Sequence, residues 1–170
     1  MISIYSIFFY EKLYIKKGII KTISINHYKT QFIRNWHIKL SQLSKCEFYM
    51  MFKVNFEREK YIDALPNYLV KAYCKFRTSN HRLKVETLRH VIPRIPRIER
   101  KCDLCNLNET ANEYHHIFYC TKFSDIRRQF IPVKYLRRSN FTSFIDIMSS
   151  KNEKTMKNVA IYLSRTMKQL

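Results

Sequence analysis

The stretch RKCDLCNLNETANEYHHIFYC, residues 100–120, holds three of the chain's five cysteines and two of its six histidines. Thiolate and imidazole are the soft donors that bind Zn2+. Two residues separate Cys102 from Cys105, a spacing whose turn brings two thiolates to one tetrahedral ion. His115 follows after nine further residues, and Cys120 after four more. His116 serves equally by count, at ten and three, and on a helix it shares a face with Cys120. The residues alone leave His115 and His116 as alternatives. Four soft donors make a closed, structural zinc site, whereas a catalytic zinc keeps one position for water. Arg100 and Lys101 are expected to lower the neighbouring thiol pKa values.

A redox dithiol accounts for less. Asp103 and Leu104 lie between the two cysteines, no βαβ pattern surrounds them, and the later histidine and cysteine go unused. Treating all three cysteines as inert buried thiols leaves the knuckle-like spacing to chance. Cys46 and Cys74 differ: each stands alone in an amphipathic segment and is expected to be an inert core thiol.

Charge supplies the second kind of chemistry. The net charge of +19 is uneven, with +7 falling on residues 75–101 and −1 on residues 102–130. An AT-rich codon bias explains lysine but not arginine. The basic run contains Arg77, Arg82, Arg89, Arg94, Arg97 and Arg100, with Lys75, Lys84 and Lys101, against Glu86 and Glu99. Lys122, Arg127 and Arg128 extend it past the cysteines, and Arg137 and Arg138 further still. Such a surface is expected to face a polyanion. Tyr114, Phe118, Tyr119, Phe123 and Tyr135 stand beside the charge. Some of them could stack on unpaired bases, although Phe118 and Phe123 fit a core better.

These side chains need elements to place them. One glycine and four prolines in 170 residues argue against a turn-rich β-sandwich. Any turn requiring positive φ must then fall to Asn, Asp or Ser. Tyr28, Phe32, Trp36, Leu40 and Leu43 recur at helical spacing. Phe48, Met50, Phe52, Val54 and Phe56 alternate, which suggests a short strand, with helix nearly as well supported. Pro66 opens a helix to about Phe76. Residues 77–101 read as a basic loop with an extended piece at Leu83–Glu86. Thr110 with Glu113, and Ser150 with Glu153, make capping boxes. The first opens a helix to about Phe130. The second opens a final helix lined by Met156, Val159, Ala160, Leu163 and Met167. Phe141, Phe144, Ile145 and Met148 make a short stripe between them.

The expected fold is mainly α: a helical domain with a small Cys-Cys-His-Cys zinc knuckle and at most one short β element. The expected organisation is a poorly defined segment 1–25, a helical region 26–92 ending in the basic loop, the knuckle and its helix over 93–130, and C-terminal helices over 131–170. The opening MISIYSIFFY lacks a preceding basic residue, and eighteen apolar residues never run together. The odd cysteine count argues against a disulfide framework. An intracellular location, nuclear or cytoplasmic, is therefore expected. Catalysis is not. The aspartates Asp63, Asp103, Asp125 and Asp146 are scattered, whereas a polymerase needs paired carboxylates for two metals. No histidine follows His116 to act as a nuclease base.

With these residues in view, the chain resembles the C-terminal region of non-LTR (LINE-type) retrotransposon reverse transcriptases. The resemblance rests on CKFRTSNHRLKVETLRH, on RIERKCDLCNLNETANEYHHIFYCTKFSDIR and, more loosely, on FTSFIDIMSSKNEKTMKNVAIYLSRTMK. It covers about residues 36–168. It implies the ligand set Cys102, Cys105, His115 and Cys120, with His116 at a position usually apolar. The family's polymerase and endonuclease domains lie upstream of the matching region. The chain departs from the family at Leu88-Arg89, where Gly-Arg is common, and its first 30 residues match nothing recognisable. The implied role is contact with RNA or DNA during target-primed reverse transcription. The residues expected to grip phosphate are Arg77, Arg82, Lys84, Arg89, Arg94, Arg97, Arg100, Lys101, Lys122, Arg127 and Arg128. Such a grip is largely sequence-nonspecific; neither a membrane nor a small-molecule substrate is expected as a partner. The alternative is a zinc-stabilised protein-interaction module whose charge meets an acidic partner.

Overall fold

The structure, a computed structural model, describes residues 25–43, 45 and 47–170. The expectations for residues 1–24 and for Cys46 lie outside these, as does Gly18. The chain divides after Lys39, and Leu40–Leu170 form one compact unit. The boundaries expected near residues 92 and 130 thus fall inside a single unit.

The described residues are mainly helical, with one isolated antiparallel bridge, Lys101 to Thr110, and no strand. Helix α1 spans Ile25–Ser41, as its apolar spacing predicts. Within the compact unit, α2 (Glu47–Phe52), α3 (Lys60–Ala64), α4 (Asn67–Arg77) and the short α5 (Lys84–Thr87) come first. They are followed by α6 (Glu113–Phe118), α7 (Ser124–Phe130), α8 (Val133–Arg137), α9 (Phe141–Ser149) and α10 (Glu153–Thr166). Among the described residues, no helix is long and apolar enough to cross a membrane.

The pairing of α10 with α4 is the backbone of the unit. Leu69, Tyr73 and Phe76 of α4 lie at i, i+4 and i+7 and are buried. They belong to the same core as Val159, Ala160, Tyr162 and Leu163 of α10, all fully enclosed. Burying each large apolar side chain contributes about 1.5–3 kcal/mol. Helix α4 starts after Pro66, whose carbonyl accepts from the Leu69 and Val70 N–H groups. It stops in a Schellman turn: Asn80 N–H bonds Lys75 O, and Ser79 N–H bonds Phe76 O. Ser79 takes φ 52° there, and Asn108 takes φ 52° in the knuckle turn. Among the described residues, Ser and Asn fill these left-handed positions, as the composition predicts.

Several local expectations are corrected. Residues 47–52 are helix, not strand. Phe48 and Phe52, four apart, bury together against Phe144 of α9, with ring centroids 5.3 and 6.4 Å away. Lys84–Thr87 is a helical turn rather than an extended piece. The helix expected over residues 110–130 is broken: α6 ends at Phe118, a 3-10 turn covers Thr121–Phe123, and α7 follows. Both expected capping boxes are displaced by two residues. Asn112 caps α6 by accepting from His115 N–H at 2.8 Å, and Asn152 caps α10 by accepting from Thr155 N–H at 2.9 Å. Asn140 caps α9 in the same way. Asn is at least as good an N-cap as Ser or Thr, and Thr110 is already engaged in the bridge.

Candidate metal centre

The backbone before α6 folds into a knuckle. Cys102 N–H bonds Glu109 O, and Ala111 N–H bonds Arg100 O, each at 2.9 Å. Asn108 supplies the turn between them. The Asn112 cap then fixes the backbone of His115 in the first turn of α6, and Cys120 lies just past its end. On the far side, the Arg127 guanidinium donates to Cys120 O, clamping the last donor's backbone to α7.

The donor atoms of Cys102, Cys105, His115 and Cys120 all lie within 4.8 Å of one another. Tetrahedral zinc, with Zn–S of about 2.3 Å and Zn–N of about 2.0–2.1 Å, requires S···S of about 3.8 Å and S···N of about 3.5 Å. Cys102 Sγ and Cys120 Sγ are 3.9 Å apart, and Cys105 Sγ and His115 Nε2 are 3.4 Å apart. The residues therefore fit a four-coordinate ion of zinc's size, and the thiols are free rather than bridged.

The choice between histidines is made by packing. His116 points away from the sulfurs into the core. Its Nε2 pairs with Thr166 Oγ1 at 2.9 Å, and its ring meets Phe76, Phe123 and Tyr162. Burial holds its pKa well below the ordinary imidazole value. Burial also lowers the His115 pKa, so its imidazole is neutral at pH 7, as a ligand must be.

The thiols correct another expectation. Burial raises the Cys102 pKa. Burial and the neighbouring Cys102 push Cys120 up to about 12. For Cys105, burial is outweighed by the Leu107 N–H, the Cys102 thiol and the Thr121 N–H, and the net shift is downward. Arg100 does not face the sulfurs: it is spent on the Val85 and Ile95 carbonyls. Thiols this close oppose each other's ionisation, and a bound cation removes that opposition.

A second buried cluster locks the basic loop to α6. Glu113 Oε1 accepts from Ser79 Oγ and pairs with His81 Nε2 at 2.9 Å, with the His81 and Glu113 side chains both enclosed. Burial would raise the Glu113 carboxyl, but His81 and the Ser79 hydroxyl hold it below the ordinary carboxylate value. The sequence gives no local signal for this cluster, because Glu113 lies more than thirty residues along the chain from Ser79 and His81.

The expected phosphate-gripping residues separate into three groups. Arg77, Arg100 and Arg127 are buried, which corrects their assignment. Arg77 binds Glu59 and Met148 O and lies 4.6 Å from the Phe52 ring. Each buried guanidinium donates to main-chain carbonyls and so cannot reach a ligand. Lys84, Arg89 and Arg97 are partly exposed and Arg128 is exposed, but they carry acid partners, respectively Asp103, Glu86, Glu47 and Asp125. Arg82, Arg94, Lys101 and Lys122 have no acid partner among the described residues, and all but the half-buried Lys101 are exposed. Of the aromatics, Phe118, Phe123 and Tyr135 are core. Tyr114 and Tyr119 both donate to Ser139 O, and only Tyr119 keeps a large exposed face.

No family model, no curated protein and no solved structure matches the chain.

Proposed function

We propose that the chain is a zinc-pinned module that binds RNA or DNA through phosphate, with little sequence preference and without catalysis. Cys102, Cys105, His115 and Cys120 hold the zinc, which supplies a rigid cross-link and no open coordination position. The observation that carries the reading is the placement of unpaired cations around the knuckle. Lys101 adjoins Cys102 and Lys122 lies two residues past Cys120, whose sulfurs are 3.9 Å apart. The backbone stretches that carry the two lysines therefore meet at the knuckle. Arg82 and Arg94 add charge from the loop that the Ser79–His81–Glu113 cluster ties to α6. The resemblance over residues 36–168 supports an origin in a LINE-type reverse transcriptase C-terminus. Nucleic-acid contact and reduced zinc thiolates fit a nuclear or cytoplasmic site.

The test is binding of labelled nucleic acid over a series of salt concentrations. About four neutralised phosphates give a log–log salt slope near −2.8 to −3.6. The combined change Arg82→Ala, Arg94→Ala, Lys101→Ala and Lys122→Ala removes most of that slope, with helicity unchanged. Unaltered affinity in the folded variant sinks the reading and favours the protein-interaction module.

A further inference from the structure

A cleft of about 890 Å³ opens between the start of the compact unit and the loop around Pro96. None of the four metal donors lines it. Its apolar lining comes from Leu43, Met50, Met51, Ile95 and Pro96. Its charged lining is four arginines and two glutamates. The glutamates are taken: Glu86 by Arg89 at 3.3 Å, and Glu47 by Arg97 at 3.1 Å. Arg100 donates to the Val85 and Ile95 carbonyls. Arg94 is exposed and has no acid partner among the described residues. The cleft thus offers an apolar floor, a surplus of guanidinium charge, and one arginine at the rim ready for an anion.

An apolar plate attached to a phosphate is the chemistry of a nucleotide. We infer that the cleft takes an unpaired nucleotide of a single strand, its base against Met50, Met51 and Ile95 and its phosphate on Arg94. A base in a duplex is covered on both faces and paired at its edge, so it cannot enter a concave site without leaving the helix. A single strand presents bases already free to do so. The volume lies in the range of about 300–1,000 Å³ typical of ligand sites, enough for a nucleotide and its neighbour. Methionine side chains adapt their shape to what they meet, so the cleft accepts any base. This rests on the nucleic-acid reading above and adds strandedness to it.

The experiment uses the full zinc-loaded chain and three probes of equal length, about 16 nucleotides, the upper site size of a single-strand-binding fold. One is a thymidine strand, one an abasic strand with the same phosphates, and one a duplex. The thymidine strand binds about tenfold tighter than the abasic strand, as burial of roughly 55 Å² of apolar base surface gives. Met51 is exposed, and Met51→Gln, which keeps length and charge, brings that ratio toward one. Arg94→Gln weakens binding of the thymidine strand and lowers the magnitude of its salt slope by about 0.7. Equal affinity for the thymidine and abasic strands, or tightest binding to the duplex, overturns the cleft assignment and leaves the phosphate-binding surface standing. Absence of binding to all three overturns both and points to a protein partner. On the unaltered chain the probe comparison still overturns the cleft where a variant fails to fold, and a thymidine preference that Met51→Gln leaves intact overturns it too, because the bases then lie on another face such as the exposed Tyr119.

Discussion

Arginine is the residue whose meaning changes most between sequence and structure. Arg77, Arg100 and Arg127 look in the sequence like members of one basic run, yet each is buried and bonded to main-chain oxygen. Removing Arg77 leaves Glu59 with Lys53 alone, leaves Met148 O with the Tyr73 hydroxyl alone, and empties a buried position. Arg77→Ala is expected to cost about 3–5 kcal/mol, read as a lowered denaturant midpoint, with the salt slope of the protein that still folds unchanged. The adjacent histidines split in a similar way. Purified chain is expected to carry about one zinc, as four soft donors require, with Cys102→Ser or His115→Ala abolishing it in elemental analysis. His116→Ala keeps the metal but loses about 3 kcal/mol, because it empties a core position among three rings. Metal loss in the folded His116 variant would reverse the assignment.

At the scale of elements, the helices are started by asparagine. Asn112, Asn140 and Asn152 each accept a backbone N–H three residues on. Asn152→Ala is expected to destabilise the protein by about 1 kcal/mol, whereas Ser150→Ala costs about 0.5 kcal/mol or less. Thermal melts that rank the two the other way would restore Ser150 as the cap. The Thr110–Glu113 and Ser150–Glu153 pairs are legible as capping boxes but are not used as such. Glu113 is drawn inward by Ser79 and His81, and Thr110 donates to Ile98 O. A tertiary bond to a buried partner outweighs the local one. The alternating run 48–56 misleads for a related reason. Phe48 and Phe52 match a helical period as well as a strand period, and only the presence of Phe144 settles which face is buried.

For the molecule as a whole, one continuous core runs from Phe48 to Leu163 and includes Ile117, Phe118 and the candidate donor Cys120. Removal of a metal bound by the four donors is therefore expected to weaken the entire compact unit and not the knuckle alone. Structural zinc supplies on the order of 10 kcal/mol in zinc-finger peptides. Half of that, at about 2–4 °C per kcal/mol for a chain of this size, predicts a chelator-induced drop in melting temperature of roughly 10–20 °C. Cooperative folding of a zinc-free chain with chelator-insensitive melting would remove the metal from the account.

Three candidate cysteine donors with one of two adjacent histidines, the helical class, the use of Ser and Asn in left-handed turns, and the excess of positive charge were all determined by the sequence. Each depends on residue type and on spacing along the chain, and those are local quantities. What the tertiary structure decided was selection among equivalents: His115 over His116, Asn over Ser or Thr as cap, and which arginines face outward. It also decided what no spacing records, namely the Ser79–His81–Glu113 cluster and the cleft at Arg94. The physical reason is that burial and pairing depend on residues distant in the chain, and a charge or ring carries no mark in the sequence of which neighbour the fold will bring to it.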